Sequence, residues 1–316
     1  MTSIHDRRAT NASTSTDGDG VTVAVVNPAS GSAISEEELR TAFDELGRPV
    51  EWRKTTEDDP GAGQAADAVA SGATTVVACG GDGTVRACLA PLAGTDTVLG
   101  IVPLGTGNLL AANLELPTGL DAVELAVTGR VRRIDVAEVN GESFAVMAGS
   151  GLDALMIRDA NATTKRRFGS LAYVASAVRN LPTRPVPTTV EVDGTTVFDG
   201  RTAMVLVGNC GTVTGGVEVF PDARPDDGIL DVAVLSARSP LDWASVLWRL
   251  VRGLPQRLDL VARYRGRTVA VRTATPRPYE VDGEVRPPVL ALAFTVRPGA
   301  LQVRTGTRDG GGSDRG

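Results

Sequence analysis

Val76-Val77-Ala78-Cys79-Gly80-Gly81-Asp82-Gly83-Thr84 is the stretch from which the fold of this chain can be read. Apolar, mostly β-branched residues run unbroken up to Cys79, as in a strand covered on both faces. Glycines at 80, 81 and 83 then turn the chain, and Val85–Leu92 follows with helical composition. Glycines in such a turn let backbone N–H groups approach phosphate oxygens without side-chain obstruction. The helix that follows adds free N–H donors and partial positive charge. Asp82 cannot favour a bare phosphate. It suits holding a magnesium ion or its water, or orienting the loop.

The same logic extends outward. Val21–Val26 reads as a buried strand ending in Asn27-Pro28-Ala29-Ser30-Gly31. Glu36–Leu46 is helical, with Ser35 as cap and acidic residues in its first turn. Val50–Arg53 is a strand, Gly63–Ala70 a helix and Thr74–Cys79 a strand. Val98–Val102 is another strand, running into Pro103-Leu104-Gly105-Thr106-Gly107-Asn108 and a helix from Asn108 to Leu114. This order predicts an α/β, doubly wound parallel sheet, with ligands gathered beyond the carboxyl ends of its strands. Three glycine-bearing turns at strand ends converge on one crevice sized for a nucleotide triphosphate. Thr106 offers a hydroxyl to a phosphate oxygen.

Beyond Val131 the pattern changes. Residues 131–148, 187–207, 229–236, 267–273 and 290–304 are alternating or β-branched, with Gly and Pro between them. They predict a mostly antiparallel, β-sandwich-like second domain. Helical segments interrupt it at Phe168–Leu181 and Leu241–Arg252. The expected organisation is a disordered tail over 1–20, a nucleotide domain over 21–129, a β-rich domain over 130–304 and a second tail over 306–316. The strand near 298–305 is a candidate to rejoin the first domain.

Composition excludes several chemistries. The chain of 316 residues is 42% apolar and carries a net charge of -6, which argues against a general nucleic-acid binder. His5 is the only histidine and lies in the polar N-terminal segment, so Ser-His-Asp and Cys-His catalysis and a His-rich zinc site are excluded. Any general base must be a carboxylate. Cys79, Cys88 and Cys210 lack metal-like spacing and read as reduced, buried thiols of a cytoplasmic protein. No run approaches the roughly 18 apolar residues of a transmembrane span, and the N-terminal segment has no signal-peptide core.

Taken together, Asn27–Gly31, Gly80–Thr84, Pro103–Asn108, Gly149-Ser150-Gly151-Leu152-Asp153-Ala154, Pro221–Val232 and Asp282-Gly283-Glu284 resemble the diacylglycerol kinase catalytic family, which includes bacterial lipid kinases and sphingosine kinases. The resemblance covers roughly residues 21–304, in the family's order. It implies an ATP-dependent kinase of a hydroxyl on a diacylglycerol-like or sphingoid lipid. Gly80, Gly81, Asp82, Gly83, Thr84, Val85, Arg86 and Thr106 become nucleotide contacts, with Thr56 and Asn27 beside them; Thr55 competes with Thr56. Glu284 becomes the general base, with Asp82 the runner-up. The carboxylate of Asp227 and the carbonyls of Arg224 and Ile229 become a structural magnesium site. Partners are ATP, magnesium and a lipid at a membrane surface, met from the cytoplasm by peripheral contact; a homodimer stays open. The arginine-bearing apolar segments Arg166–Leu181 and Leu241–Leu254 either lie on an anionic bilayer or pack on the β domain. A NAD kinase shares Gly-Gly-Asp-Gly-Thr but not the Pro103–Asn108 type of turn. A non-catalytic regulator on the same fold would have no need of carboxylates at 82 and 284.

Overall fold

The structure, a computed structural model, describes residues 20–151, 185–213, 217–252, 254, 256 and 259–306. The helix expected at Phe168–Leu181, residues 152–154 and the tail segments 1–19 and 307–316 lie outside the described residues.

Strands β1 (Thr22–Val26), β2 (Val50–Lys54), β3 (Thr75–Gly80) and β4 (Val98–Pro103) pair in parallel in the order β2-β1-β3-β4. Every residue of β1, β3 and β4 is buried, which is why these strands read as unbroken apolar runs. Alternate residues feed opposite faces. Val23, Val25, Val76 and Ala78 pack with helices α2 (Ala62–Ala70) and α3 (Asp82–Leu92). Ala24, Val26, Val77 and Cys79 pack with α1 (Glu36–Asp44) and α5 (Val123–Thr128), while α4 (Leu109–Asn113) follows the second glycine turn. Ser35 and Glu38 close a capping box on α1, as the sequence pattern predicts. All three cysteines are free and buried.

The remaining strands continue the sheet: β5 (Arg130–Val139), β6 (Glu142–Phe144), β7 (Met147–Ser150), β8 (Val186–Val192), β9 (Thr195–Thr202) and β10 (Met204–Gly208). A small ribbon, β11 (Thr212–Val213) with β12 (Val217–Glu218), precedes β13 (Leu230–Leu235), β14 (Val261–Gly266), β15 (Thr268–Val281) and β16 (Glu284–Thr305). Their pairing among themselves is antiparallel. A second core forms between them, with Phe144 and Phe294 in edge-to-face contact at 6.3 Å. Helix α6 (Pro240–Val251) buries Trp243 and Val246 in the core and leaves Leu241 82% exposed.

Strand β16 joins the two halves. Its first part pairs with β15, its last part with β5, and Gln302 and Val303 pair in parallel with Val98 and Leu99 of β4. Sequence patterning underestimates β15 and β16, because Pro276, Pro278, Pro287, Pro288 and Pro298 break the alternation. Three of them, Pro276, Pro278 and Pro298, sit at register irregularities, between Arg272 and Tyr279 and between Arg297 and Leu301, where a missing N–H does no harm.

Candidate active site

The three glycine-bearing turns meet at the carboxyl edge of the parallel strands. Leu104 N–H donates to the Gly80 carbonyl at 2.9 Å, setting the second turn beside the first. A Cβ on Gly105 would stand 2.5 Å from the Gly81 Cα, backbone against backbone. Close approach, rather than positive φ, is what requires glycine there. Gly81 caps α3, whose first turn begins at Asp82, three residues earlier than the sequence pattern predicts. Asn27 Nδ2 donates to Thr84 Oγ1 at 3.3 Å and ties the turn after β1 to the same place. Thr84 and Val85 are buried, so their side chains shape the turn from behind.

Asp82 sorts between the roles its position allows. Its carboxylate accepts Asn108 N–H at 2.8 Å and Leu109 N–H at 2.5 Å. It therefore holds the second turn and the start of α4. Burial raises its proton affinity, the two backbone donors lower it, and the negative charge of Glu284 raises it again. Asn108, left-handed at φ 48°, completes the stitch by pairing its side chain with both the N–H and carbonyl of Gly105. Thr106 is exposed at the tip of this turn. Of the two adjacent threonines, Thr55 is buried and continues the β1 pairing. Thr56 is exposed, with its hydroxyl accepting Asp59 N–H at 3.1 Å.

Glu284 arrives from the other half of the chain. Val281 pairs with Glu284 across a two-residue turn in which Asp282 and Gly283 have φ of 45° and 87°, the conformation Asp-Gly favours. The turn is pinned from inside: the buried Asp282 carboxylate accepts N–H groups of Ala145, Val146 and Met147 at 2.9–3.0 Å. Burial pushes Asp282 up to about 6, against the pull of those donors. Burial likewise pushes Glu280 up to about 8, although it accepts Gly283 N–H at 2.8 Å. The hairpin brings Glu284 Oε1 to 3.0 Å from where a Cβ on Gly83 would stand. Its Oε2 accepts from Arg86 of α3 and from Arg286 at 3.2 Å. The Arg86 guanidinium, read from sequence among the nucleotide contacts, is thus committed to carboxylates: Glu284 and Glu142. Sequence reading missed Glu142, Arg286, Glu280 and Asp282. Only the last had a signal, as the first residue of the Asp-Gly turn.

The segment Arg224–Ile229 forms a separate cluster. Asp227 Oδ2 pairs with Arg265 at 2.7 Å and Oδ1 accepts Ile229 N–H at 3.1 Å. Arg265 also pairs with Asp231, and Asp226 pairs with Arg132. The buried Asp135 ties the segment to β16 by accepting N–H groups of Gly228 and Gly299, each at 2.7 Å. Among the described residues no group of three or more His, Cys, Asp or Glu gathers as a metal cage. Both Asp227 oxygens are engaged, and the one Arg265 guanidinium is shared between Asp227 and Asp231. An ion held by the Asp227 carboxylate and the carbonyls of Arg224 and Ile229 would have to displace the Arg265 guanidinium from Asp227, and no step is routed through one there.

Known proteins share the fold and its two family profiles. Residues 22–139 match the family profile described as diacylglycerol kinase catalytic domain, and residues 146–305 the one described as YegS C-terminal NAD kinase beta sandwich-like domain. A crystal structure of a diacylglycerol kinase from Bacillus anthracis superposes with a TM-score of 0.69 at 20% identity, covering 90% of this chain and 97% of that one. A NAD kinase from Archaeoglobus fulgidus, crystallised with ATP, superposes at 0.51 and 13% identity over 90% and 94%, which shows a shared fold. The diacylglycerol kinase of Mycobacterium tuberculosis is 32% identical over 245 residues, 75% of this chain and 79% of the relative. On that identity and the two profile matches, the chain belongs to the diacylglycerol kinase and YegS-like family of lipid kinases.

Proposed function

We propose that this chain transfers the γ-phosphoryl group of ATP to a hydroxyl of a diacylglycerol-like or sphingoid lipid. The observation that supports this reading best is the meeting of Glu284 Oε1 with the Gly83 turn. It sets a carboxylate from the β domain beside a glycine turn and helix N-terminus suited to phosphate. ATP enters as its magnesium complex, the metal arriving with the substrate. Backbone N–H groups of residues 80–83 and of Thr106 and Gly107, with the Thr106 hydroxyl, face its phosphates, and Thr56 and Asn27 flank them. Glu284 takes the proton of the lipid hydroxyl as that oxygen bonds to the γ-phosphorus. The bond from the γ-phosphorus to the β,γ-bridging oxygen breaks, and ADP leaves with its electron pair. Asp82 is assigned to holding the two turns together rather than to proton transfer, because both its oxygens already accept backbone N–H groups.

Among the described residues no helix is long and apolar enough to cross a membrane. In this reading the lipid is met at the bilayer surface. The test is ATP turnover on mixed micelles carrying, one at a time, diacylglycerol, a sphingoid base, phosphatidylglycerol or an isoprenoid alcohol. Labelled phosphate on one of the first two supports the reading. Turnover only on a water-soluble acceptor such as NAD refutes it.

A further inference from the structure

The Glu284 hairpin has a counterpart that no motif points to. Val139 pairs with Glu142 across Asn140-Gly141, with φ of 50° and 85°, as Val281 pairs with Glu284 across Asp282-Gly283. Two Asx-Gly hairpins from different parts of the chain each deliver a glutamate just after the turn, and the two glutamates share the same pair of arginines. Glu142 grips Arg286 through both carboxylate oxygens, Oε2 to Nε at 2.9 Å and Oε1 to Nη2 at 2.5 Å, and its Oε1 also accepts from Arg86. Both guanidiniums then reach Glu284 on one oxygen only, Oε2, and leave Oε1 facing the Gly83 turn.

From this geometry we infer that Glu142 is a positioning residue: it gathers Arg86 and Arg286 on one carboxylate, so that they anchor Oε2 of Glu284 and present Oε1 to the incoming hydroxyl. The inference rests on the reading of Glu284 as the base. The ring Glu284–Arg86–Glu142–Arg286 carries two charges of each sign. Its arginine side chains are 12% and 22% exposed, and Glu284 itself is 47% exposed, so the more buried partners anchor the more exposed one. Removing the Glu142 charge leaves two largely buried guanidiniums with a single carboxylate between them. They then draw in both oxygens of Glu284, including the one facing the turn. The other charged groups around the ring do not replace Glu142. Asp82 is bound to Asn108 and Leu109, Asp282 to the 145–147 backbone and Glu280 to Gly283.

A double-mutant cycle tests this, with single-turnover rate and ATP affinity measured for wild type, Glu142→Gln, Glu284→Gln and the double variant. Glu142→Gln is expected to slow transfer about 10- to 100-fold, the scale of a misplaced reacting group, with ATP affinity within about threefold of wild type. In the Glu284→Gln background the same change is expected to slow transfer no further. Glu142→Asp, which keeps the charge, should restore part of the rate. An equal loss in both backgrounds, or no loss in either, overturns the inference while the base reading stands. A Glu284→Gln enzyme at wild-type rate overturns the base reading and the inference with it. Melting curves accompany each variant. If Glu142→Gln does not fold, Arg286→Gln breaks the same anchor and must show the same non-additivity.

Discussion

Replacing Asp82 with Asn tests whether the two glycine turns are held together as described. In the wild type one carboxylate accepts two backbone N–H groups, Asn108 at 2.8 Å and Leu109 at 2.5 Å. An amide keeps one acceptor oxygen and turns an NH2 group toward the other donor. The loss of one hydrogen bond to a charged acceptor is worth about 1.5–3 kcal/mol. Relief of the burial and of the repulsion from Glu284, which together raise the proton affinity of Asp82, offsets part of it. A net loss of about 2 kcal/mol corresponds to a melting temperature roughly 3 °C lower for a chain of 316 residues. The functional loss is larger than that stability loss implies, because the turn carrying Thr106 shifts against the turn of residues 80–83. A displacement of about 1 Å in a positioning element lowers kcat/KM for ATP by about 100-fold. Thermal denaturation and initial rates with ATP varied read out both effects, and calorimetry gives nucleotide affinity. A variant that melts with wild type and keeps kcat/KM within about threefold refutes the assignment.

Further predictions follow from single contacts. Gly83→Ala adds a Cβ 3.0 Å from Glu284 Oε1, while Ala suits the first turn of α3 by about 0.5–1 kcal/mol, so kcat should fall with the melting temperature kept or raised. Gly105→Ala, whose Cβ meets backbone at 2.5 Å, should lower both. Glu280 binds its proton more tightly folded than unfolded, so it contributes stability that is complete below 4.5 and lost as pH rises through about 8. Glu280→Gln should therefore flatten the fall in melting temperature across that window, and an unchanged slope counts against the buried acid. Arg265→Leu strands Asp227 and Asp231 and should lower the melting temperature, whereas magnesium alone should not raise that of the wild type. Stabilisation of the wild type by magnesium, lost in Asp227→Ala, would restore an ion at that segment.

Much of the parallel half was legible because its signals are local. A buried strand, a glycine turn and a helix start lie within about a dozen residues of one another, and periodicity reads each directly. The Ser35 cap and the turns at Gly80 and Pro103 belong to this class. The β half was legible as a class but not in extent, because prolines that sit at irregularities of register look like strand ends in a linear pattern. Among the site groups, Asp82 could be limited to a short set of roles from its turn. Choosing between them needed Asn108 and Leu109, 26 and 27 residues away. Glu142 and Arg286 carried no linear signal, since their meaning lies in contacts 144 and more than 50 residues apart in the chain. The pairing of Asp227 carried no linear signal for a related reason. Its neutralising cation, Arg265, lies 38 residues on, where no motif looks.

The central claim is that Glu284 takes the proton while the glycine turns hold the nucleotide. The direct measurement is ATP affinity and single-turnover phosphoryl transfer to a lipid acceptor for wild type and Glu284→Gln. The account predicts ATP binding within about threefold of wild type and a transfer rate lower by about two to four orders of magnitude, the usual worth of a general base. A Glu284→Gln enzyme that transfers phosphate within about tenfold of wild type, or one that has lost ATP binding, would contradict it.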